Sequence, residues 1–391
     1  MDKTADAVII GGGALGTSIF FHLTHLGQTD VVLLEKGLLG SGSTRDTGAI
    51  VRQHYSNRVS IQLVVKSIEI FKNFPELTDG PKIYQQTGWI FLVPANAEEL
   101  FHQNIALLKS LGVQTQEIGI EDLTSDHLPG INVQDIACAA YEPDSGWADP
   151  YGMVSGFANK AKKKGGRYYI ETPARAIKIE RDKVQAVVTD QGEISTPVVI
   201  NAAGPWAKAV GRWCNLDLPL EVTLEPEAIF KLPPEVSDFP RVVSNMVDRT
   251  YLRPESGQCL LVGTGHPKES QPGDPNNYTR DVSFDFIEEV STRLLHRFPV
   301  LKGAAYLTGF TGLYTVTPDW NMILGPAPGV NGLYLAVGGS GHSFKLAPAM
   351  GLCLAEMIVH GKANTVDISP LRATRFEEGQ PLHSTYGGNR A

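Results

Sequence analysis

A chain of 391 residues is long enough to bury a large core and to divide into two domains. Its 42% hydrophobic and 19% charged content is that of a globular protein, and a net charge of −8 argues against a nucleic-acid surface. Four scattered cysteines (Cys138, Cys214, Cys259, Cys353) form no C-x-x-C pair, so reduced thiols in a cytoplasmic protein are expected, with no metal. Met1 to Asp6 lead straight into the first apolar run, so no signal peptide is expected. The apolar stretch 7–21 is short and broken by glycine, which excludes it as a membrane span.

Ala7-Val8-Ile9-Ile10 reads as a strand that breaks into Gly11-x-Gly13-Ala14-x-Gly16 and then a helical apolar pattern. A second run, 31–34, ends in Glu35, which follows Gly16 by 19 residues (35 − 16). Strand, glycine turn, helix, strand and acid in this order suit an adenine dinucleotide. Gly11 permits the turn, Gly13 admits a pyrophosphate, and Gly16 lets helix and strand close together. The helix N-terminus faces the phosphates. A carboxylate at Glu35 can take the ribose hydroxyls and disfavours a 2′-phosphate, so FAD or NAD is expected rather than NADP.

The Gly/Ser/Thr-rich stretch 37–48 is a surface connection or a polar ligand cradle, and Arg52 closes the apolar run after it. An Arg there is held by an anion or by a structural carboxylate. Residues 59–74 have helical spacing stopped by Pro75, 88–93 read as a buried strand, and 97–111 as an amphipathic helix ended by Gly112. Residues 136–141 are a further strand, and 143–150 an ordered crossing between domains. A helix over 153–164 with a basic end leads to strands at 168–171, 175–180 and 184–189, expected as an antiparallel meander inserted into a parallel core. The run 198–200 ends in Asn201-Ala202-Ala203-Gly204-Pro205-Trp206, where a parallel sheet admits a ligand.

From 219 to 310 short strands (228–232, 250–253, 259–263) and a helix over 283–297 predict a separate antiparallel domain. A strand at 333–337, a second glycine turn at 338–342 and a helix over 344–359 return to α/β. Lys345, in the first turn of that helix, opposes its dipole at a cost of about 0.3–1 kcal/mol, which an anionic ligand or a nearby carboxylate would offset. The tail after Leu371 is expected to be loosely ordered.

Taken together these residues resemble the D-amino-acid-oxidase-like FAD oxidoreductases, and within them the sarcosine oxidase branch, both single-chain and β-subunit members. The resemblance covers nearly the whole chain. It rests on Gly11-x-Gly13-x-x-Gly16 with Glu35, Ser43-Thr44-Arg45 through Arg52 and Tyr55, Asp144-Ser145-Gly146-Trp147, Asn201 through Trp206, Tyr314 through Asp319, and Gly338 through Lys345.

It implies a fold of α/β plus antiparallel β. A Rossmann-type FAD domain (1–85, 145–218 and 322–391) would interleave with a β-sheet substrate domain (86–144 and 219–321). FAD would be held by Gly11, Gly13, Ala14, Gly16, Glu35, Lys36, Ser43, Thr44, Arg45, Ala202, Gly204, Trp206, Gly312, Gly339, Gly341, His342 and Lys345. Arg52 and Lys345 would bind the carboxylate of an amino acid, with Tyr251, His266 and Tyr314 around it.

Two departures from the branch stand out. Gly312 matches a cysteine that bonds the flavin, so a non-covalent FAD is expected. Val262 matches a lysine that assists oxygen, so slow reoxidation in air is expected. The implied reaction is oxidation of a secondary or N-methyl amino acid, sarcosine-like or a cyclic imino acid. Hydride passes to flavin N5, and water then hydrolyses the imine. The alternatives are an FAD 2-hydroxy-acid dehydrogenase with His266 as base, or a non-catalytic FAD-binding assembly factor. The expected partners are a small-molecule substrate, no nucleic acid and no membrane, in a monomer or in a subunit of a hetero-oligomeric amine dehydrogenase or oxidase.

Overall fold

A computed structural model describes residues 3–265 and 268–386. The first apolar runs do form a parallel sheet. Its six strands run in the order Ile323–Pro326, Leu333–Val337, Val199–Asn201, Ala7–Ile10, Val31–Leu34 and Arg167–Tyr169, parallel except for the first pair. The strands Ala7–Ile10 and Val31–Leu34 are buried on both faces, as uninterrupted apolar runs require. Helix Ala14–His25 packs on helix Ser343–His360, where a Cβ on Gly351 would meet Ser18 Oγ at 2.2 Å. Ser18 Oγ in turn donates to the carbonyl of Ala347 at 2.8 Å. Among the described residues no helix is long and apolar enough to cross a membrane.

An eight-stranded sheet stands over this layer, in the order Ala305–Val316, Glu221–Lys231, Cys259–Thr264, Thr250–Glu255, Val242–Asn245, Trp89–Val93, Cys138–Glu142, Gln116–Ile118. The architecture is therefore a parallel Rossmann-like sheet joined to a largely antiparallel one. The second sheet is not wholly antiparallel, because Val242–Asn245 pairs parallel with Trp89–Val93. Helix Phe284–Arg297 covers one face, over a core that includes Ile90, Leu92, Phe230, Leu252 and Val262. The alternate residues, Trp89, Phe91, Glu227 and Tyr251, leave by the other face toward the glycine turns.

Several sequence expectations are corrected. Residues 167–169 belong to the edge of the parallel sheet, and the third strand of the meander is Gly192–Ser195. Pro75 opens a short helix, Phe74–Thr78, as proline at a first turn can. The described part of the tail, 372–386, is anchored rather than loose. Arg375 is fully buried, donates to both oxygens of Asp319 at 2.8 and 2.9 Å, and also holds the carbonyl of Asn321. A buried guanidinium with a bidentate acid and a carbonyl fixes the chain around it.

His22 is buried on helix Ala14–His25, its ring 4.8 Å from that of Phe21, and burial, helped by His25, pushes its pKa down to about 3. The folded protein therefore holds His22 neutral where the unfolded chain, at its ordinary value of 6.5, takes a proton. This contribution is complete above pH 6.5 and is lost as pH falls toward 3. Stability should drop by about 1.4 kcal/mol per pH unit within that window. His22→Leu should flatten the slope, which urea midpoints at pH 7 and pH 4.5 measure; an unchanged slope would assign acid sensitivity to other groups.

Candidate active site

A cleft of about 460 Å³ runs along the carboxyl ends of the parallel strands. Gly11 adopts φ +113°, and a Cβ there would strike the carbonyl of Ala202 at 2.3 Å. A Cβ on Gly16 would come within 1.9 Å of the Gly11 carbonyl, so Gly16 sets helix-to-turn packing and does not itself line the cleft. Thr44 Oγ1 accepts from the Ala14 N–H at 3.0 Å, tying the polar loop to the helix start. Glu35 bridges the Gly12 and Gly37 N–H groups, each at 2.7 Å. Ser43 Oγ is buried with no hydrogen-bond partner. Lys36 lies 3.1 Å over the ring of Trp206, whose Nε1 donates to Asn276.

Of the residues assigned to FAD, Gly11, Gly13, Ala14, Glu35, Lys36, Ser43, Thr44, Ala202, Gly204, Trp206, Gly339 and Gly341 do line this cleft. Arg45 does not; its Nε lies 3.5 Å from Asp46, which Arg280 also holds. Gly312 stands behind the wall, where a Cβ would meet the Asp46 carbonyl at 2.4 Å. His342 and Lys345 line a second cavity instead. The glycine cradle that a Cβ would fill, the helix start and the orphaned Ser43 hydroxyl fit a dinucleotide.

The second cavity, of about 180 Å³, lies between the sheets and shares Thr47, Tyr314, Ser340, Gly341 and Phe344 with the cleft. It brings together Arg52, Lys345, Tyr251 and Tyr314; His266 lies outside the described residues. Arg52 follows the short strand Ile50–Val51, donates to the carbonyl of His54 and lies 4.8 Å over the Tyr55 ring. Lys345 Nζ is buried, 3.4 Å from the Gly341 carbonyl. Burial, then the charge of Arg52, holds its pKa well below the usual lysine range. Among the described residues no carboxylate is ion-paired with Lys345. A half-buried guanidinium beside a buried lysine makes an anion site, because an arriving carboxylate favours the lysine's charged form.

Opposite chemistry comes from the strand Glu221–Lys231. Glu227 is buried, accepts from the Tyr251 hydroxyl at 2.6 Å, and is pushed up to about 7 by burial, against the effect of that hydrogen bond. Tyr314 is hydrogen-bonded to Tyr251, and burial raises both phenols. Trp89 and Phe91 stack at 5.3 Å along another wall. Tyr386 reaches in from the tail, its hydroxyl 3.0 Å from His54 Nε2.

The sequence reading missed Glu227, although Glu225-x-Glu227 in a strand already places two acids on one face. It also missed Trp89, Phe91, His54 and Tyr386, which carry no local signal. Val262 is corrected: it is fully buried in the core beneath helix Phe284–Arg297, on the face of the sheet away from the cavity. Apart from both cavities, ligand atoms of Glu98, His102 and Cys138 gather within 4.8 Å at the surface.

Residues 6–357 match the FAD dependent oxidoreductase family, DAO. Mitochondrial sarcosine dehydrogenase of Homo sapiens is 29% identical over 384 residues, 93% of this chain and 40% of the relative. Mitochondrial dimethylglycine dehydrogenase of Mus musculus is 29% identical over 412 residues, 98% of this chain and 46% of the relative. The chain thus spans less than half the length of these two curated relatives. Among solved structures, L-proline dehydrogenase from P. horikoshii superposes with a TM-score of 0.90 at 28% identity, over 98% of this chain and 100% of that one. Glycine oxidase from Geobacillus kaustophilus shares the fold at TM-score 0.82 and 23% identity, over 96% and 99% of the two chains.

Proposed function

The chain belongs to the FAD dependent oxidoreductase family, and from that premise we propose that it oxidises a small amino acid carrying a secondary or N-methylated amine. The observation that carries this reading is the pair of basic side chains, half-buried Arg52 and buried Lys345, facing a small cavity continuous with the dinucleotide cleft. About 180 Å³ is below the roughly 300–1,000 Å³ of pockets for drug-sized ligands, which suits a compact substrate. The names of three relatives, sarcosine, dimethylglycine and L-proline dehydrogenases, share a carboxylate beside a substituted nitrogen. These features favour the sarcosine oxidase branch.

Bound FAD supplies the hydride acceptor. The chain's own work is orientation: the two cations hold the carboxylate, and the aromatic wall of Trp89 and Phe91 excludes water from the alkyl side. The Gly11, Gly13, Ser43 and Thr44 backbone and hydroxyls would hold the cofactor. Anaerobic mixing with N-methyl, cyclic, primary-amine and 2-hydroxy acids tests the assignment through flavin bleaching. Secondary amines should bleach fastest; bleaching by 2-hydroxy acids alone would overturn it.

We also propose that FAD is held without a covalent bond. At Gly312 a side chain would need the Asp46 backbone, 2.4 Å from the Cβ position, to move. The purified protein should be yellow and should release all of its FAD on acid precipitation. Flavin retained in the washed pellet would refute non-covalent attachment.

A further inference from the structure

Resting on the reading of the second cavity as an amino-acid site, we propose that Glu227 receives the substrate's amine and takes the proton from its ammonium form. Glu227 sits mid-strand, paired with Gly263 on one side and Phe310 on the other. Its side chain is 4% exposed and lines the cavity. One oxygen, Oε1, is engaged by the Tyr251 hydroxyl at 2.6 Å, whereas Oε2 is buried without a hydrogen-bond partner. A buried carboxylate oxygen without a partner, on a residue in the cavity wall, calls for a donor, because an unsatisfied acceptor is costly. The same cavity carries Arg52 and Lys345. A zwitterion, anionic at one end and cationic at the other, answers both demands. A 2-hydroxy acid brings the anion and a neutral donor, but no positive charge to pair with the acid.

The surroundings keep this acid usable. Tyr251 and Arg253 face it from the strand Thr250–Glu255, Tyr314 from Ala305–Val316, Glu225 from its own strand and Lys268 from the following loop. The loop residue Gly48 also lies against it, where a Cβ would sit 2.9 Å from Oε1. Arg52 and Lys345 complete the cavity. Burial outweighs the Tyr251 bond and the nearby cations, so the group titrates at about 7. A base poised there is ionised in part at neutral pH and can both accept and release a proton.

The step balances simply. One N–H bond of the ammonium breaks, its electron pair stays on nitrogen as the lone pair, and the proton forms an O–H bond at Glu227 Oε2. Nothing is oxidised in this step. The neutral amine it leaves is the form whose lone pair can support loss of hydride from the adjacent carbon. The proton returns to water by the end of the turnover.

The test uses the FAD-loaded protein and L-proline or sarcosine, whichever bleaches the unmodified flavin, followed anaerobically from pH 6 to 10. The unmodified protein should show an ascending limb near pH 7. Glu227→Gln keeps an acceptor for Tyr251 but cannot take a proton. At pH 7 it should bleach roughly 10²–10⁴-fold more slowly, a deficit that shrinks about tenfold per pH unit as solution supplies neutral amine. Affinity for cyclopentanecarboxylate, which has no amine, should stay within about twofold, since the cation clamp is untouched.

An unchanged rate and limb in Glu227→Gln, or a deficit that does not vary with pH, would overturn the proposal. Should Glu227→Gln not retain FAD, Tyr251→Phe serves: losing a bond to the ionised carboxylate moves the limb to higher pH, and an unmoved limb overturns the proposal. Bleaching of the unmodified protein by 2-hydroxy acids and by no amine is a separate failure, that of the amino-acid reading itself.

Discussion

Arg52→Ala and Lys345→Ala should each weaken binding of a small carboxylate by roughly 10- to 100-fold, and together should abolish it at millimolar concentrations, with FAD still bound. Losing one charge-assisted hydrogen bond costs about 1.5–3 kcal/mol, and the two cations share one anion. FAD should stay because Arg52 lies outside the cleft lining, and because Lys345 lines the cavity rather than the cleft.

Lys345 adds a pH signature. Burial and the charge of Arg52 favour its neutral form, so an arriving carboxylate must restore the proton. Affinity should therefore fall as pH rises through the depressed lysine value, and binding above it should take up a proton. Arg52→Lys should not rescue fully, since a compact ammonium cannot reproduce the guanidinium fork that reaches the His54 carbonyl and covers Tyr55. Titration of the flavin spectrum with cyclopentanecarboxylate measures all of this. Unchanged affinity in both single variants would remove the anion site.

The cofactor half of the molecule was legible because its information is local. Gly11 is marked by its own φ of +113° and Gly16 by the Gly11 carbonyl that a Cβ would strike, and the acid that answers them follows the very next strand. The clamp was half legible: a lysine in a first helical turn is anomalous wherever it occurs, whereas the wall opposite it is built from distant strands.

What could not be read depends on long-range partners. Arg375 looks like one charge in a polar tail until Asp319, 56 residues earlier, is brought beneath it. Tyr386 follows from that anchoring and so reaches His54. The strand Arg167–Tyr169 precedes a meander in sequence, yet pairs with Val31–Leu34 across the fold. Face parity is the subtlest loss. Along a strand a shift of one residue exchanges core for cavity, and no periodic signal in an all-apolar run such as Leu260-Leu261-Val262 says which is which.

That parity carries the last expected result: Val262→Lys should destabilise the protein by about 3–5 kcal/mol instead of speeding reoxidation of the flavin. Val262 is fully buried, paired with Ala228 and Leu252, in the core beneath helix Phe284–Arg297. An ammonium there would be enclosed by apolar side chains and cut off from solvent. It must deprotonate, distort the helix contact, or disrupt the middle of the sheet.

The residue on this strand that does face the cavity side is Gly263, and it has no room for a side chain. A Cβ there would lie 2.2 Å from Tyr251 Cζ, so the ring of Tyr251 fills the place where a lysine would stand. Any cation that assists oxygen must therefore come from elsewhere around the cavity, and Arg52 and Lys345 already line it. Urea midpoints of the variant, with stopped-flow reoxidation of whatever fraction folds, separate the outcomes. A variant as stable as its parent that reoxidises faster in air would mean that the strand presents Val262 to the flavin after all, and that the assignment of the sheet's two faces is reversed.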